Sequence, residues 1–243
     1  RELGRLEEAL VSCHKALEIK PDYAQAHSNL GLVFQDLGML GEAVESHQKA
    51  LNIKPDYAKA HSNLGVTLRE LGKLDEAVES YQIALNLKPD YAEAHSNLGV
   101  VLKELRNLDK AAESCQNALN IKPDYAEAHN NYGNVLRELG RLEEAVASCK
   151  MALVIKPDYP LALNNLGLTL LVLGKLEEAV DHFHKALAIK PNYADAHYNL
   201  GHALLKQGRY REGFKYILNG EGVVEFRNDK SHQFQLLMGH ERM

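Results

Sequence analysis

Residues 92–125 read AEAHSNLGVVLKELRNLDKAAESCQNALNIKPDY, and the same pattern returns before and after them at a step of 34 residues. Six of the seven prolines, Pro21, Pro55, Pro89, Pro123, Pro157 and Pro191, mark that step without a slip. A period of this size signals a solenoid, because a unit too small to bury its own apolar face must stack on its neighbours. With the first repeat position set at Ala24, full repeats span 24–57, 58–91, 92–125, 126–159 and 160–193, and a degraded one spans 194–227. Residues 1–23 read as the second half of an earlier repeat, so that 1–227 is solenoid and 228–243 a tail or cap. The start, late in a repeat and without Met, is that expected of a fragment.

Each repeat predicts two helices. In 92–125 the first carries Ala94, Leu98, Val101, Leu102 and Leu105, and the second Leu108, Ala111, Ala112, Cys115, Ala118 and Leu119, both at spacings of three and four. Proline cannot donate in a helical ladder, so each periodic Pro ends the helix before it. Asp90 with Glu93, Asp124 with Glu127 and Asp22 with Gln25 read as capping boxes for the next helix. Gly38, Gly72, Gly140, Gly174 and Gly208 fall between the two helices, where a left-handed residue closes the first. Arg106 takes that place in one repeat, at about 1 kcal/mol if its φ is positive. A second glycine column, Gly31, Gly65, Gly99, Gly133, Gly167 and Gly201, lies mid-helix and predicts that another helix backbone crosses close by.

Composition excludes several function classes. The net charge of −5 supplies no basic footprint for nucleic acid or an anionic membrane, and no apolar run is long enough to span a bilayer. No phosphate loop, nucleophile motif or paired metal-ligand cluster stands out, so neither a cofactor, a metal nor an enzymatic activity is expected of this stretch. Five of the twelve histidines form one column, His27, His61, His95, His129 and His197, whose copies are a repeat apart and too distant to share a metal ion. Cys13, Cys115 and Cys149 recur at one repeat position, where even neighbouring copies lie about 10 Å apart as stacked helices, beyond disulfide reach. They read as small buried residues of a reducing compartment, which suggests a cytoplasmic location.

Leu30-Gly31 in the first helix, Ala43 in the second and a closing Pro55, repeated through Leu166-Gly167, Ala179 and Pro191, resemble the tetratricopeptide repeat signature. The signature Trp is replaced by the histidine column, and the second-helix aromatic survives only as Tyr81 and Phe183. The resemblance covers residues 1–227. It implies an all-α, right-handed superhelical solenoid of antiparallel helix pairs, whose first helices line a concave groove that binds protein or extended peptide.

One column is not explained by packing. Asn29, Asn63, Asn97, Asn131, Asn165 and Asn199 precede Leu-Gly or its equivalent in every repeat, although asparagine is a mediocre helix former. An amide offers both a donor and an acceptor and so matches a peptide backbone. The column is similar to the asparagine ladder of O-GlcNAc transferases, which implies that these six residues hold substrate polypeptide; alternatively each Asn hydrogen-bonds a neighbouring helix or loop. Family geometry adds polar groove positions, among them Ser28, Ser62, Ser96, Asn130, Asn134, Arg69, Lys103 and Arg137. In repeat 160–193 the same positions turn apolar, with Leu161, Leu168, Leu171 and Val172, and Leu163 in place of the column histidine, which suggests an exposed contact patch. Gly213 and Gly220 break the last repeat, and 223–226 and 232–236 read as short extended segments or, alternatively, a terminal helix. The sequence therefore points to a non-catalytic scaffold for protein or extended peptide. Two alternatives stand beside it: the substrate-recruiting arm of a larger glycosyltransferase-type enzyme, and a scaffold that self-associates through its tail.

Overall fold

The computed structural model describes residues 2–220. The tail at 228–243, the segments at 223–226 and 232–236, and any self-association through them lie outside the described residues. Two compact units divide the chain at Pro123. The first holds α1 (Glu2–Ile19), α2 (Ala24–Asp36), α3 (Leu40–Ile53), α4 (Ala58–Glu70), α5 (Leu74–Leu87), α6 (Ala92–Glu104) and α7 (Leu108–Ile121). The second holds α8 (Ala126–Glu138), α9 (Leu142–Ile155), α10 (Pro160–Val172), α11 (Leu176–Ile189), α12 (Ala194–Lys206) and α13 (Tyr210–Gly220). Among the described residues the chain is all helix, and within each unit the helices pack as consecutive pairs.

The turn within a pair is closed by backbone geometry. Gly72 N–H donates to Arg69 O at 2.9 Å and Lys73 N–H to Leu68 O at 2.9 Å, with Gly72 at φ +74°. Arg106 keeps the same pair of bonds, to Lys103 O and from Asn107 to Leu102 O, and is driven to φ +62°. It is the one non-glycine residue at positive φ among those described. The expected capping boxes do not form. Each first helix starts one residue later than they require, so that Tyr91 and its counterparts hold the N-cap position in place of Asp90, with no side-chain cap bond. Lys88 instead lies over the Tyr91 ring at 4.8 Å, as do its counterparts over theirs.

The mid-helix glycines receive a side chain more than a crossing backbone. A Cβ at Gly31 would meet the His47 ring at 2.5 Å, at Gly65 the Tyr81 ring at 2.8 Å, and at Gly167 the Phe183 ring at 2.6 Å. Where the inserted residue is small, as at Cys115 on Gly99 and Cys149 on Gly133, the backbone also closes in, to 3.1 Å from Ala111 O and 3.2 Å from Ala145 O. The glycine is thus a hole, and residues 47, 81, 115, 149 and 183 are its knobs. Burial pushes the Cys115 and Cys149 thiols up to about 12, which leaves them inert.

The histidine column ties four of the first helices to the loop before them. His27 Nε2 donates to Pro21 O at 2.9 Å, His61 to Pro55 O at 3.0 Å, His95 to Pro89 O at 3.0 Å and His197 to Pro191 O at 2.8 Å. Leu163, in that column, has no such bond to make and packs against Ala186 and Ala196 instead.

Candidate functional site

In the first unit α2 touches α4, and α4 touches α6; in the second α10 touches both α8 and α12. The asparagine column lies along these contacts. Asn63 Nδ2 donates to Ser28 Oγ at 3.3 Å, Asn165 Nδ2 to Asn130 Oδ1 at 2.9 Å, and Asn199 Nδ2 to Asn164 Oδ1 at 2.9 Å. Each bond is a rung from one first helix to the first helix of the preceding repeat. An amide group has two N–H donors and two acceptor sites, so one rung uses a single N–H and fixes the orientation of the rest. Asn29 is exposed and accepts from Gln25 Nε2 at 3.0 Å. Asn97 is half-buried and makes no rung.

In the second unit these residues line a cavity of about 340 Å³. Six amides face it: Asn130, Asn131, Asn134, Asn164, Asn165 and Asn199. Leu161, Leu168, Tyr193 and Tyr198 supply apolar wall, and Arg137 and Asp195 supply charge. Arg137 Nη2 donates to Asn134 Oδ1 at 2.5 Å. Burial pushes the Tyr193 hydroxyl up to about 12, with the nearby Asp195 carboxylate adding to the rise, so it stays a neutral donor.

The structure thus brings together Asn131, Asn134, Arg137, Asn165, Asn199, Leu161 and Leu168. Asn29, Asn63, Asn97, Arg69 and Lys103 belong to the first unit. The expected apolar patch is corrected. Leu163 is 5% exposed and belongs to the core, because it fills the slot left by the missing histidine. Leu168 and Leu171 are half-buried against the core around Phe183. Leu161 and Val172 are the exposed members, and Val172 does not line the cavity. Asn164, Tyr193, Tyr198 and Asp195 were missed. The signal was present in the fifth repeat position, which runs Ser28, Ser62, Ser96, Asn130, Asn164, Tyr198. Its change from hydroxyl to amide alters the acceptor that the column asparagine meets.

Family models described as TPR repeat match residues 1–38, 36–68, 67–106, 133–174 and 170–208, and models described as tetratricopeptide repeat match 92–125 and 114–147. The chain belongs to the tetratricopeptide repeat family. No curated protein matches it at a significant level. Among solved structures it is similar to a chain of the APC/C hetero-tetramer Cut9-Hcn1, with a TM-score of 0.83 at 18% identity over 91% of this chain and 44% of that one. It therefore spans less than half the length of that chain. It is also similar to PilW, a type IV pilus biogenesis factor, with a TM-score of 0.74 at 25% identity over 79% of this chain and 90% of that one. A third likeness is TTC0263, a thermophilic tetratricopeptide protein of Thermus thermophilus, with a TM-score of 0.65 at 28% identity over 75% and 99%. Tetratricopeptide repeats generally form non-catalytic scaffolds for protein–protein interaction. Among the described residues no group of three or more His, Cys, Asp or Glu is placed to hold a metal ion, and no helix is long and apolar enough to cross a membrane.

Proposed function

We propose that this tetratricopeptide chain binds extended polypeptide on its first helices, at Asn29, Asn63 and Asn97 in the first unit and at Asn131, Asn165 and Asn199 in the second. The observation that supports this best is the amide-lined cavity of the second unit, where rungs hold Asn165 and Asn199 by one N–H. An amide already fixed in orientation loses little rotamer freedom when it pairs with a ligand main chain. Its remaining N–H and oxygen can take a peptide carbonyl and a peptide N–H, which makes the recognition tolerant of ligand sequence. The inter-repeat role and the ligand role of the column are compatible, since they use different hydrogen-bonding sites of one group.

Asn97 gives the cleanest test because it makes no rung. Peptides selected from a random display library on the intact chain should bind Asn97→Ala and Asn131→Ala more weakly, by about 1–3 kcal/mol per buried bond lost. Unchanged affinity in both variants, with unchanged melting curves, would remove the reading. The likeness of the column to glycosyltransferase repeats supplies a second reading, in which the same groove recruits substrate for a catalytic part of a longer protein. It separates from the first by one assay: the full-length protein must glycosylate a peptide that the groove binds. Three free thiols fit a reducing, cytoplasmic setting for either role.

A further inference from the structure

The second unit's groove is uneven in charge. Arg137 sits in the last turn of α8. Among the described residues its one polar partner is the neutral amide of Asn134, and its Nε is buried with no hydrogen-bond partner. A guanidinium keeps its charge at every accessible pH and carries five donors in a planar fork. One bond to an amide gives that charge no carboxylate partner and leaves most of those donors idle. Asp195, in the first turn of α12, is the carboxylate among the lining residues and stands two repeats away. It repels acid at its own end of the groove. In the same lining Leu161, 41% exposed, and Tyr198, 46% exposed, stand with Leu168 as apolar surface open to a ligand. Tyr198 is backed by His202 edge-on at 4.5 Å.

Resting on the groove reading above, we infer that the ligand is an acidic peptide: an Asp or Glu side chain pairs with Arg137 and a neighbouring aliphatic side chain packs on Leu161, Leu168 and Tyr198. A carboxylate that turns the guanidinium toward the groove lets Nε and Nη donate side by side, the strongest pairing open to arginine. The ligand thereby supplies the partner that Nε lacks. The amides hold the main chain, and the Arg137 pair sets the register along it.

The test uses the intact chain and a display library of random dodecapeptides. Selected peptides should be enriched in Asp or Glu beside Leu, Ile or Val. By fluorescence anisotropy, Arg137→Gln should weaken the best labelled peptide by at least about tenfold, Arg137→Lys by less, and binding should fall as salt is raised. Changing that peptide's acid to the amide should cost as much on the unaltered chain and nothing further on Arg137→Gln. If Arg137→Gln fails to fold, the acid-to-amide change on the unaltered chain decides alone. Peptides without acidic enrichment that still lose affinity in Asn131→Ala overturn this inference and leave the groove reading intact. Peptides whose affinity is unchanged in both Asn97→Ala and Asn131→Ala overturn the groove reading and this inference with it.

Discussion

In the first unit the asparagine column meets a hydroxyl, Asn63 to Ser28 at 3.3 Å, in a half-buried setting. In the second it meets amides, Asn165 to Asn130 and Asn199 to Asn164, both at 2.9 Å, and the first of these is buried. The scaffold beneath is the same. Glycine holes at 31, 65, 99, 133 and 167 take a second-helix knob in both units, and alanines at 43, 77, 111, 145 and 179 are fully buried in both. The ninth repeat position is aliphatic and half-buried in the first unit, at Leu32, Val66 and Val100, but is Asn134 and then Leu168 in the second. Scaffold columns are thus held constant while the residues of the proposed groove change from repeat to repeat. A repeat array permits this, because each unit packs only on its neighbours and a groove residue can vary without disturbing the core.

The knobs offer the sharpest way to break the likeness. Phe183 fills its hole in the second unit and Tyr81 another in the first, but in the first unit one knob is His47, with neither ring nitrogen hydrogen-bonded. Burial pushes this imidazole down to about 4 from 6.5. The folded state therefore binds the proton less well than the unfolded chain. Stability is complete above the unfolded value and is lost as pH falls from about 6.5 toward 4, by about 3 kcal/mol in all. Hydrogen exchange across α2 and α3 at falling pH should report this, and His47→Phe should remove most of it and raise stability at neutral pH. Half-buried His182, lowered by burial in the same direction, adds a smaller acid loss in the second unit. If the variant and the unaltered chain lose protection in parallel, His47 is not the acid-labile point.

Most of the scaffold was legible in the sequence, because the columns that repeat are those that backbone geometry and packing require. Pro21 and its copies end helices, and Gly38 and its copies stand at φ near +75°. The capping boxes misled because Asp90 and Glu93 have the right spacing but the helix begins one residue too late for them. Leu163 misled because it was grouped with the apolar groove positions of its repeat, whereas an apolar residue in the histidine column turns inward. The cavity was legible only in part. Asn131, Asn165 and Asn199 stood out by recurring in every repeat; Asn164 and Tyr198 depart from the serines that open their column, and a reading built on period passes over such departures.

The rungs come next in size. Asn165→Ala leaves Asn130 Oδ1 without its donor in a buried setting, at an expected cost of about 1–3 kcal/mol. Asn63→Ala loses a longer, half-buried bond to a hydroxyl that water can replace, and about 0.5 kcal/mol is expected. Asn97→Ala loses no rung, and its change should stay within about 0.5 kcal/mol of zero. Urea unfolding of the three variants orders them. Equal costs would mean that the rungs contribute nothing to the difference between the units.

One substitution is expected to give a gain, and it lies in the first unit. The turns at Gly140 and Gly174 in the second unit reach φ +76° and +77° with glycine, while the first unit places Arg106 at φ +62° with the same two backbone bonds. The hydrogen bonds cannot be the source of any difference, since both turns make them. What remains is the contact between Cβ and the carbonyl that disfavours the left-handed region for every residue but glycine. Arg106→Gly removes that contact but also frees the unfolded chain, which lowers the net gain. An increase of about 0.5–1 kcal/mol is expected on balance. It should appear as slower exchange at Asn107 and Leu108, the residues that the strained turn positions. A loss on substitution would mean that Arg106, which has an interaction of its own, contributes more through its side chain than its backbone costs.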